Sequence, residues 1–80
     1  MSTSIEEHAS VVLRTDVPEH GLAAGDVGTV VMVHQGGAGY TVEFMTLAGE
    51  TVAVVTLSAE QVRAIHPDEI AHVRQIVHAS

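Results

Sequence analysis

The chain has no cysteine and no lysine, and among its 80 residues it carries only three arginines, two prolines and two aromatic side chains. Without cysteine there is no disulfide framework, no thiolate nucleophile, no iron–sulfur cluster and no cysteine-based zinc site. Arg14, Arg63 and Arg74 face ten carboxylates, for a net charge of −7. Nucleic-acid binding by counterion release needs clustered Lys and Arg, so the charge disfavours a nucleic-acid partner and points to a basic partner or to none. Tyr40 and Phe44 are the only aromatics, which leaves no stacking platform for bases or sugars. No run approaches the roughly 20 apolar residues of a membrane-spanning helix, and the opening "MSTSIEEHAS" has neither a basic region nor an apolar one. These absences predict a cytoplasmic protein with no membrane partner.

What is present is aliphatic and β-branched. Hydrophobic residues make up 46% of the chain, mostly Val, Ala, Leu and Ile. A chain this short buries only about 60% of the surface it exposes when unfolded, which disfavours a deep enclosed active site. Residues 1–9 are small and polar apart from Ile5 and read as a flexible N-terminal tail. "SVVLR" starts the first strand, and "TDVPEHGLAAGD" is a long loop punctuated by Pro18, Gly21 and Gly25. "VGTVVMV" is a nearly continuous apolar strand in which Gly28 signals a bulge or a sharp coil. "HQGGAG" turns it into "YTVEF", where Tyr40, Val42 and Phe44 share one face and Thr41 and Glu43 the other.

"TLAGE" turns again into "TVAVVTL", and "SAEQV" carries a capping-box outline with Ser58 as N-cap and Gln61 three residues on. One turn of helix there would be followed by a last short strand at "RAI". The segment 66–80 reads as an α-helix: Pro67 suits its first turn, Asp68 and Glu69 its positive end, and Ile70, Val73, Ile76 and Val77 form an apolar stripe. The expected architecture is therefore mainly β: a small SH3-like barrel of five antiparallel strands over 10–65, with a one-turn helix and an added C-terminal α-helix over 66–80.

"GDVGTVV" is similar to the KOW-type strand and turn of ribosomal and transcription-factor barrels, but the basic residues that meet RNA in those proteins are missing here. A more extensive resemblance runs from Val11 to Arg63, through "VVLRTDVPEHGLAAGDVGTVVMV" and "GYTVEFMTLAGETVAVVTLSAEQVR". These segments resemble the small bacterial family DUF4926, to which no biochemical activity is attached. Some members look to be encoded beside other small proteins, as toxin and antitoxin pairs are, which implies an antitoxin-like or regulatory role. Residues after Ile65 lie beyond the family core.

Gly25, Gly28, Gly36, Gly37 and Gly39 match no phosphate-binding loop, since no Lys-Ser or Lys-Thr follows and no helix begins there. "DVPEH" gathers Asp16, Glu19 and His20 without a nucleophile beside them, so no catalytic residues are assigned and an enzyme is not expected. The leading expectation is a non-enzymatic, acidic protein-interaction module that binds a protein partner or itself. Asp16, Glu19, His20 and Leu22 in the long loop, with Ile70, Val73, Ile76 and Val77 on the helix, would form the contact surface. The alternative is a small histidine-based metal-binding protein, or an accessory to a metalloenzyme, as the SH3-like barrels of nitrile hydratase subunits suggest by analogy. His20, His34 and His66, near Glu19 or Asp68, would then be the ligands. No cofactor is expected under the leading reading.

Overall fold

The computed structural model describes residues 5–76. Five strands form one antiparallel sheet: β1 (Ser10–Leu13), β2 (Val27–His34), β3 (Gly39–Met45), β4 (Thr51–Ser58) and β5 (Val62–Ala64), in the spatial order β4-β3-β2-β1-β5. No ladder joins β4 to β5, so the sheet is not closed by strand pairing. A single 3-10 turn, Ala59–Gln61, separates β4 from β5 at the predicted place, and the Gln61 side chain accepts a hydrogen bond from the Ser58 N–H at 2.9 Å. A second 3-10 turn, Pro18–His20, sits at the tip of the long loop.

One face of the sheet holds the core. On β3 the alternation read from sequence is the one that forms: Tyr40, Val42 and Phe44 are buried, opposite Leu57, Val55 and Ala53 on β4. Val11 and Leu13 on β1, Val30 on β2 and Val62 on β5 complete it from the strands. The long loop supplies the rest, because Val17 and Leu22 exchange backbone hydrogen bonds of 2.9 and 3.1 Å and fold inward as a pinched hairpin. Burying a Val, Leu or Phe side chain contributes about 1.5–3 kcal/mol, so the loop is anchored by the same term that holds the strands.

β2 is the strand on which both halves of the sheet depend. Its first residues, Val27–Thr29, pair with β1, while Thr29–His34 pair with β3. Of the two readings of Gly28, a bulge or a sharp coil, the bulge does not form there; the register shift lies between Val30 and Met32. Gly28 instead permits close packing: a Cβ there would stand 2.5 Å from Val42 Cγ1 and 2.8 Å from Phe44 Cε2. The Phe44 ring occupies the space that any side chain at position 28 would need. At the β2–β3 turn, Gln35, Gly36 and Gly37 have φ of 49°, 67° and 117°, a left-handed run that glycine permits at two of the three positions.

Three further expectations are corrected. The C-terminal α-helix does not form over 66–76, where the backbone makes one turn near Pro67 and Asp68 and then runs without regular structure; Val77 and His78 lie outside the described residues. Such a helix could hold no more than about four turns, which is marginal in water without tertiary packing, and tertiary ion pairs hold this segment in another path. The chain before β1 is not loose from residue 5 onward, since His8 N–H donates to Val30 O at 2.7 Å, Val30 N–H donates to Ala9 O at 2.9 Å, and Ile5 packs against the core. Leu22, proposed for partner contact, is 4% exposed and committed to the core.

Replacing Gly28 with Ala is expected to destabilise the fold by about 2 kcal/mol through overpacking. Urea unfolding measures it, and adding Phe44→Leu to the Gly28→Ala background should recover part of the loss. An unchanged midpoint for Gly28→Ala would show that the Phe44 ring yields freely.

Candidate functional site

The long loop and the segment after β5 come together through Arg74. Asp16 Oδ1 accepts the Ala24 N–H at 2.9 Å and Asp26 Oδ2 accepts the Ala23 N–H at 2.9 Å, so two carboxylates brace the returning limb of the loop. Glu19 and His20, at the loop tip, are exposed and make no side-chain hydrogen bond among the described residues.

Residues 66–76 form an arm tied down at two points. Arg63, on β5, presents a fork to Glu69, with Nη1 donating to Oε1 at 2.8 Å and Nη2 donating to Oε2 at 2.6 Å. Glu69 Oε1 also accepts the His66 N–H at 2.7 Å, which closes the turn that starts the arm. Further along, Arg74 Nε donates to Asp26 Oδ1 at 2.7 Å and Nη2 to Oδ2 at 2.5 Å, while Nη2 also reaches Gly21 O at 3.0 Å. Both are two-bond guanidinium–carboxylate pairs, the geometry that gives arginine its directional strength. The arm makes no other backbone hydrogen bond among the described residues than Glu69 N–H to His66 O.

These pairs set the local electrostatics. The fork from Arg63, helped by the His66 N–H, holds the Glu69 carboxyl at about 2. At Asp26 partial burial opposes ionisation, but the hydrogen bonds from Arg74 and Ala23 outweigh it and keep the carboxyl below its usual range. Two of the three cations in the chain are therefore spent inside the molecule, and Arg14 has no carboxylate partner among the described residues.

Ile70 and Val73, two members of the expected stripe, are 86% and 81% exposed. Held between the two arginine anchors, they neither pack on the sheet nor line a helix face. Ile76 is half-buried, in a shallow hollow with Thr46, Glu50, Thr51 and Val52. Beneath residues 69–72 a wider open groove is lined by Val12, Val27 and Ile65 on the side of the sheet away from the core.

The histidine trio is not assembled. His20 lies at the loop tip and His66 at the root of the arm, both exposed, while His34 Nε2 at the end of β2 is hydrogen-bonded to Thr41 Oγ1 at 2.7 Å. Among the described residues no three His, Asp or Glu side chains converge as a metal-holding group. The residues that join loop to arm, Asp26 and Arg74, were not among the sequence candidates. They stand 48 positions apart, and the one available signal was the scarcity of cations, which makes each arginine a sought-after partner for ten acids.

A family model described as a domain of unknown function, DUF4926, matches residues 7–64. The chain belongs to the DUF4926 family. The match takes in all five strands and the long loop but stops at Ala64, so the arm that crosses the DUF4926 domain is outside the matched region. No curated protein matches the chain, and no solved structure does. No helix among the described residues is long and apolar enough to cross a membrane.

The arm should respond to acid before the strands do. Glu69 ionises in the folded chain at about 2, below its ordinary 4.5, so its pairing contributes stability that is fully present above 4.5 and lost as pH falls toward 2. Asp26 acts in the same direction. Amide spectra recorded down an acid titration should show Ile70 and Val73 moving to unstructured positions below about pH 4 while β3 signals persist. Glu69→Gln should loosen residues 66–70 at neutral pH. Simultaneous loss of arm and strand signals would mean that the arm has no separate equilibrium.

Proposed function

We propose that this DUF4926 protein is a non-enzymatic protein-interaction module, whose partner contacts the long loop and the C-terminal arm together. The observation that carries this reading is the exposure of Ile70 and Val73 on a segment fixed at both ends by arginine forks. Apolar side chains on a backbone already tied down lose less conformational freedom when a partner covers them than those on a free segment would, and they gain burial. Asp16, Glu19 and His20 lie on the loop that Arg74 joins to the arm, which gives the surface a polar rim. Leu22 acts from beneath, by holding the loop in shape.

An SH3-like barrel is the architecture we assign. The strand order, the long loop between β1 and β2, and the 3-10 turn between β4 and β5 support it. Folds of this kind host many functions, so the reading rests on the surface rather than on the fold. An antitoxin-like or regulatory role is the sub-reading that the family resemblance favours, and masking or positioning another small protein is how such a module would act. The histidine-based alternative has no observation in its favour.

The test is co-purification from cells that express the protein natively, using the full chain and an Ile70→Asp/Val73→Asp variant, with the mass of each measured by light scattering. A protein retained by the first and lost by the second, or a mass above that of a monomer in the first alone, is the expected result. A full chain that elutes alone as a monomer overturns the reading.

A further inference from the structure

The two edges of the sheet are treated differently. β5 is a three-residue strand that carries Arg63, and the arm leaves from it through the Arg63–Glu69 fork, so that edge is short, charged and flanked by chain. β4 has eight residues, Thr51–Ser58, with no charge and no proline, and five of them are β-branched valine or threonine: Thr51, Val52, Val54, Val55 and Thr56. Its backbone pairs with β3, and beyond that ladder the one backbone group of residues 52–58 with a hydrogen bond among the described residues is the Ser58 N–H, which donates to Gln61 Oε1. Ile76 approaches only the first two residues, Thr51 and Val52. Edges of this length are normally blunted by lysine, proline, a bulge or a covering segment, because their free N–H and C=O groups are a template for another strand. Beyond Ala53, β4 has none of these among the described residues.

Charge decides what can occupy it. Glu43 lies on β3 directly opposite Val54, half-buried on the face away from the core, and Thr51 Oγ1 donates to its Oε2 at 2.7 Å. Glu50 precedes β4 and Glu60 follows it, both exposed. A second copy of this chain would bring its own acids to those three. A strand added beside β4 would lie about 10 Å from β3, two strand spacings, which a lysine or arginine side chain can cross over Val54 to reach Glu43. We propose that the free edge of β4 binds an extended cationic segment of a partner protein by strand addition, with main-chain pairing along Ala53–Leu57 and basic side chains directed at Glu43, Glu50 and Glu60. The inference rests on the interaction-module reading but uses a surface separate from the arm.

The probe is an eight-residue peptide of alternating Val and Lys, set against one of alternating Val and Glu, each titrated into the isotope-labelled full chain. The Lys peptide is expected to shift amides of residues 52–58, and to bind severalfold more weakly as ionic strength rises from about 0.01 M to about 0.1 M, where the Debye length falls from about 30 to about 10 Å. The Glu peptide is expected to leave them unmoved. Glu43→Gln keeps the acceptor for Thr51 and should weaken binding about two- to fivefold. Val54→Lys, at a position 54% exposed, should weaken it about fivefold or more by placing a like charge opposite the peptide. Shifts confined to other segments, equal binding of the Glu peptide, or undiminished binding by Val54→Lys would each overturn the proposal. So would β4 shifts that follow protein concentration without peptide, since the occupant would then be a second copy. Ile70→Asp/Val73→Asp is expected to bind the peptide as the native chain does; loss in that variant would move the site to the arm and overturn the β4 assignment alone.

Discussion

The close approach of Phe44 and Val42 to Gly28 is the contact on which the rest of the molecule depends. β2 must pair with β1 at its start and with β3 beyond Thr29, and a flat strand cannot serve both while the two halves share one core. The absent side chain at position 28 lets the Phe44 ring lie against the β2 backbone, and the register shift after Val30 adds local twist. With the sheet curled in this way, Val11, Leu13, Val30, Val42 and Val55 meet in one cluster, and the pinched hairpin of the long loop closes over it with Val17 and Leu22. The loop that bears the candidate contact residues is thus held by the core itself.

The arm follows from a second constraint, the shortage of cations. With three arginines and ten acids, an isolated guanidinium can choose among many carboxylates, and geometry selects those that offer both oxygens. Arg63 finds Glu69 six residues on, and Arg74 finds Asp26 at the base of the loop. Each fork holds a backbone that has no sheet or helix to join. Exposed pairs of this kind are individually weak and sensitive to salt, which makes the arm the part of the structure most easily displaced. The apolar residues between the anchors, Ile70 and Val73, remain in solvent as a consequence.

Spending two arginines internally also shapes the remaining surface. Among the described residues Glu43, Glu50 and Glu60 lie around β4 with no arginine paired to them, while β4 itself is neutral and its backbone beyond Ala53 pairs on one side alone. Backbone pairing and acidic surroundings then act on the same kind of partner: an extended segment gains main-chain hydrogen bonds, and a basic one gains the attraction. The loop-and-arm surface differs in kind, offering exposed aliphatic side chains and a polar rim.

The strands were legible in the sequence because their signals are local. The alternation in "YTVEF", the β-branched run in "VGTVVMV", the glycine turn between them and the Ser58–Gln61 capping box each depend on residues a few positions apart, and each forms as read. The family resemblance from Val11 to Arg63 falls within the matched region. What could not be read was set by contacts across long separations. Ile70, Val73 and Ile76 have helical spacing, yet periodicity states only that one face could be apolar. It does not state that a face exists to receive it, and the pairing of Arg74 with Asp26 settled the path of the arm instead. Leu22 looked like a surface residue because it stands in a loop, and only the Val17 bridge turns it inward. Gly28 read as either a bulge or a sharp coil because the sequence cannot show which side chain will lie above it. The sequence by itself determined the elements and their order, since these follow from short-range sterics and alternation. The tertiary structure decided which apolar residues are buried, which arginine meets which carboxylate and which strand edge stays open, because those outcomes depend on where distant segments come to rest.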